Sequence, residues 1–201
     1  MKWFFHMENP VMSALSVVAD LIILNLLTVL FSLPVVTAGA AITAMNTVSL
    51  RIIRNEDGSI VKDFFRAFTA NLKKGILLWL LVLFCAVLLA ADYFAAKAYI
   101  PVLCPVIFAM GLLVLTLAIY AFALIARYDN TLPGTLKNAV SLAIGFFPKT
   151  LAMIVFTLAF WLLSIQFIRY GAPVLLMFGL SLPGYVCMLL INPIFIKLEN
   201  K

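Results

Sequence analysis

Apolar residues run along this chain in long stretches separated by short polar segments. Six stretches stand out, at residues 11–33, 35–53, 75–95, 102–126, 149–168 and 173–196. Each is close to the roughly 20 residues a helix needs to cross about 30 Å of hydrocarbon. The pattern predicts an all-α fold: a polytopic transmembrane helical bundle with about six spans and two cytoplasmic amphipathic helices. Residues 1–201 read as one membrane domain.

The second stretch differs from the rest. It is short and less apolar, and it opens with "VVTAGAAITAM". Pro34 has no amide hydrogen and disfavours helix at Leu33, so the first helix ends there. Proline is also well placed at the start of a new helix. The expected result is a very short outer turn and a tight antiparallel pair that returns through the bilayer. Ala40 and Ala44 form a small-xxx-small pair, the spacing that lets helices approach closely in lipid.

Composition sharpens this picture. The chain is 66% hydrophobic and 11% charged, against about 25% charged in a soluble domain. A water-facing globule is excluded. The first stretch is too long for a signal-peptide core, so no cleaved secretory leader is expected. The formal net charge of +6 points to loops beside anionic headgroups of the lipid bilayer, and no nucleic-acid partner is expected. Lys and Arg concentrate in 51–74, 127–149 and the C-terminal tail. With six crossings, Lys2 joins them, and only Lys97 and Arg169 lie opposite. The positive-inside rule then places both termini in the cytoplasm of a bacterial plasma membrane. If the second stretch does not cross, the N-terminus moves to the other face.

Two connections carry their own periodicity. In residues 59–73, Ile60, Val61, Phe64, Phe65, Phe68 and Leu72 share one helical face, with Lys62, Asp63, Arg66 and Thr69 on the other. Such a basic, phenylalanine-striped helix suits the inner headgroup plane or packing on the bundle. Residues 135–147, after the turn signal Pro133-Gly134, repeat the idea weakly. "SLP" occurs at 32–34 and 181–183, a faint hint of two halves.

Candidate chemistry is sparse. His6 is the single histidine, and Cys85, Cys104 and Cys187 sit in or beside apolar runs. They read as small hydrophobes, with no metal site and no cofactor expected. No phosphate-binding loop, zinc-protease motif or nucleophile elbow occurs. An enzyme is not expected. Asp20 lies mid-span, where a charge costs about 2.5–3.5 kcal/mol. It therefore needs a partner, an interior position or a proton. Asn25, Asn46 and Asn192 are further intramembrane polar candidates. They fit either interhelical hydrogen bonds or a solute path. In "ARYDN", Arg127 and Asp129 are placed to pair at the inner surface, or Arg127 to anchor there.

"DLIILNLLTVLFSLPVVTAGAAITAM", "FFRAFTANLKKGILLWL", "ARYDNTLPGTLKNAVSLA" and "NPIFIKL" resemble the YesL family of Firmicute membrane proteins over nearly the whole chain. That resemblance implies a setting near ABC sugar importers, but no mechanism and no site residues. An accessory partner of an importer permease is expected, working through Phe64, Phe65, Arg66, Phe68, Arg127 and Asp129. The alternative is a small transporter or channel using Asp20, Asn25, Asn46 and Asn192.

Overall fold

The structure, a computed structural model, describes residues 10–56, 58–166, 175 and 177–199. Eight α-helices and no strand occur among them. They are α1 (Pro10–Ser32), α2 (Ala38–Ile53), α3 (Ile60–Ala70), α4 (Leu72–Tyr99), α5 (Cys104–Arg127), α6 (Leu132–Gly145), α7 (Phe147–Gln166) and α8 (Ser181–Glu199). The candidates to cross a membrane, by length and apolar composition, are α1, α2, α4, α5, α7 and α8. The chain is an all-α, multi-pass membrane-type bundle.

α2, the least apolar of the six, lies at the centre. It touches α1, α3, α4, α5 and α8, and Ala40, Ala41 and Ala44 are fully buried. Small side chains explain both facts, since they weaken the hydropathy signal while letting five neighbours approach. The closest approach is to α4. A Cβ on Gly75 would lie 2.8 Å from the Ala40 Cα and 2.9 Å from its amide nitrogen. The end of α2 is a Schellman closure. Asn55 takes a left-handed φ of 52°, its N–H bonds the Ile52 carbonyl, and the Glu56 N–H bonds that of Arg51.

Local proline chemistry sets other boundaries. Pro34 follows the end of α1 and precedes a single 3₁₀ turn, Val35–Thr37. Pro133 and Gly134, expected as a turn, instead lie in the first turn of α6, where a missing N–H costs nothing. The second "SLP" opens α8 whereas the first closes α1, so the two copies do opposite jobs.

The turn between α1 and α2 packs on α4. The Trp79 indole N–H donates to the Val35 carbonyl at 2.7 Å, and Gly39 packs on Gly75. The turn therefore lies beside the start of α4, next to Lys73 and Lys74. The other end of α2 lies beside the ends of α5 and α8. There Thr47 donates to the Ala126 carbonyl at 3.3 Å, and Arg54 donates to Asn192 at 3.0 Å. Lys74 is paired with Asp129, so the start of α4 and the end of α5 are together. The start of α4, with the ends of α2, α5 and α8, thus forms the basic end of the bundle, and the turn before α2 packs on α4. The glycine contact, Gly39 on Gly75, holds the turn at the first turns of α4.

Candidate functional site

The basic end of the bundle is built from helix ends that hold one another. α3 docks on α2 through Arg51, whose guanidinium reaches Asp63 at 2.5 Å and Glu56 at 3.2 Å. Its phenylalanines close on α1. Phe31 meets Phe64, Phe65 and Phe68 at ring-centroid distances of 5.8, 5.1 and 5.0 Å. Phe64 is fully buried and Phe68 nearly so, while Phe65 and Val61 stay 42% and 44% exposed. The buried stripe is narrower than the expected face. Phe65, edge-on to Phe31, and Val61 form a partly exposed flank beside the exposed Lys62 and Arg66. A bend at Asn71, whose amide donates to the Ala67 carbonyl, turns α3 into α4.

Arg127 and Asp129 do not pair with each other. Arg127 donates to Glu199 at 2.9 Å, tying α5 to α8. Asp129 takes Lys74, tying the segment after α5 to α4. The reason is reach: at the end of α5 the chain turns extended at Tyr128, which sends the two side chains to different neighbours. Glu199 also accepts from the Tyr128 hydroxyl at 3.1 Å and sits 3.8 Å from Arg54. Burial, then the bond to Glu199, raises the Tyr128 hydroxyl above its usual pKa. The hydrogen bond and charge of Lys74 hold the Asp129 carboxyl below the ordinary carboxylate range.

That shift has a sign. A carboxyl depressed in the folded state stabilises above its unfolded pKa and loses the effect as pH falls through the depressed value. Asp129 is fully exposed, so the effect is small and screened by salt. Thermal unfolding from neutral pH downward should show a slightly steeper acid loss in wild type than in Asp129→Asn, at low salt only.

The four intramembrane polar candidates do not converge. Asn25 is fully buried, and its carbonyl oxygen accepts from the backbone N–H of Leu180 at 2.8 Å and of Ser181 at 3.0 Å. It caps the start of α8 from α1. Asn192, at the far end of α8, serves Arg54. Asn46 faces a cavity among α2, α4, α5, α7 and α8. Asp20 is half-buried, and no hydrogen bond or ion pair reaches it among the described residues. His6 lies outside the described residues. Cys85, Cys104 and Cys187 are free, and no group of three or more His, Cys, Asp and Glu assembles among the described residues.

Sequence reasoning missed Arg54, Glu199, Lys74 and the glycine pair. An acid in the last turn of an apolar helix, as in "IFIKLE", was the available signal for Glu199.

Residues 21–93 match a family described as "Protein of unknown function, DUF624". The match runs from within α1 to within α4 and so takes in the turn, α2, α3 and the Gly75 contact. Against curated proteins and against solved structures, the chain has no match.

Proposed function

We propose that this chain is a member of the YesL family, whose members carry the same uncharacterised region. In this reading it is a non-enzymatic protein of a bacterial plasma membrane, and it acts as an accessory partner of an ABC-type sugar-importer permease. The observation that carries the reading is the partly exposed flank of α3. Phe65 and Val61 are held in the open by the buried Phe64 and Phe68, with Lys62 and Arg66 beside them. An apolar ring and a valine next to exposed cations fit a protein or lipid partner at a cationic surface. Of the polar residues in the rival transporter reading, Asn25 and Asn192 serve separate structural contacts and Asp20 and Asn46 are not brought together with them, which favours the accessory role.

By the positive-inside rule the basic end faces the cytoplasm. With six crossings, the charge distribution then puts both termini in the cytoplasm as well.

The test is affinity capture of the tagged full chain from native membranes, with subunits identified by mass spectrometry. The expected result is a permease subunit that is lost on Phe65→Glu while the protein remains folded. Solute flux by the protein reconstituted alone, without such a subunit, contradicts the reading.

A further inference from the structure

The cavity beside Asn46 is not used by anything described above. It lies between α2, α4, α5, α7 and α8, with a volume of about 220 Å³. A dry cavity of about 150 Å³ is enough to take benzene. No charged side chain lines it. Trp79, Phe122 and Trp161 supply aromatic wall. The Trp79 N–H is already given to Val35, so that residue presents its ring. The Thr157 hydroxyl is 3.7 Å from the Cys187 sulfur, which occupies the other polar pair.

Asn46 is different. It is only 6% exposed, it faces the cavity, and no hydrogen bond reaches its amide among the described residues. An amide facing apolar walls gains from a hydrogen-bonding partner. A ligand bearing one hydroxyl or carbonyl supplies that partner, whereas a pure hydrocarbon does not.

We propose that this cavity is a binding site for a small uncharged ring compound carrying one hydroxyl or carbonyl group, with Asn46 as its hydrogen-bonding residue. The apolar walls exclude ions and sugars, because neither finds enough partners there. The ligand reaches the site from the bilayer, where such compounds partition. The site is independent of the partner surface on α3.

Tryptophan fluorescence of the purified full chain tests it. The Trp3→Phe variant leaves Trp79 and Trp161 as reporters. The probes are 4-bromobenzyl alcohol and 4-bromotoluene, compared at equal mole fraction in the detergent. The alcohol should quench saturably and half-saturate at about tenfold lower mole fraction, the factor that one hydrogen bond of about 1.4 kcal/mol supplies. Asn46→Leu should erase the difference between the probes. Ile119→Phe, which keeps the amide but fills the cavity, should abolish saturation for both. Quenching that stays linear for both probes in the parent, or a preference for the alcohol that survives Asn46→Leu, overturns the proposal. Helical circular dichroism and elution volume confirm that each variant is folded.

Discussion

Gly75→Ala is expected to destabilise the protein by about 3 kcal/mol, at the upper end of overpacking costs. Alanine normally stabilises a helix by up to about 1 kcal/mol relative to glycine, so the sign itself is diagnostic. The new Cβ would meet the Ala40 Cα at 2.8 Å and its nitrogen at 2.9 Å. Both are backbone atoms of the central helix and cannot rotate away. α2 must then move from α4, and with it the Trp79 bond to Val35 and the Arg54 bond to Asn192. Gly111→Ala is the matched control, because a Cβ there meets nothing within 4 Å. Thermal unfolding in one detergent should show a large fall for Gly75→Ala and no fall for Gly111→Ala. Equal behaviour of the two would mean that the α2–α4 approach is not this close.

Asn25→Ala should cost about 2–4 kcal/mol. Its carbonyl satisfies two backbone N–H groups at the start of α8, and each buried donor left unpaired costs about 1–3 kcal/mol. Part of that cost is recovered if the α8 start shifts to find other acceptors. Asp20→Asn, five residues earlier, should change stability by less than about 0.5 kcal/mol, as expected for a group without special contacts. The order is the reverse of what intramembrane charge alone suggests. Chemical or thermal unfolding of the two variants decides it. A larger effect at Asp20 would point to a partner for that carboxylate.

The helices themselves were legible in the sequence because each apolar run is long enough to register on length alone. Their arrangement was legible only in part. Ala40 and Ala44 announced a packed face on α2, and both are fully buried. Gly75 did not announce itself, since a lone glycine after "LKK" is indistinguishable from a helix-start residue. Without it, the Pro34 break gave no sign that the turn packs on α4.

Side-chain pairing was the least legible. "ARYDN" offers Arg127 and Asp129 to each other, but the extended Tyr128 sends them to Glu199 and Lys74, which are distant in sequence. The α3 stripe was visible from its periodicity. Which phenylalanines it buries depended on Phe31, a residue of another helix. Asn25 looked like one polar residue among several, because a cap supplied across the bundle leaves no local trace.

The packing of the α1–α2 turn on the first turns of α4, through Val35 on Trp79 and Gly39 on Gly75, sets α2 at the centre of the bundle. The most direct measurement is intramolecular cross-linking of Val35→Cys with Trp79→Cys, using a short bifunctional thiol reagent. The background lacks Cys85, Cys104 and Cys187. A Trp79→Cys, Phe122→Cys pair serves as positive control, because those rings are 6.4 Å apart. An efficient Val35–Trp79 cross-link is predicted. Failure of that pair while the control links would contradict the packing of the turn on α4 and the central place of α2.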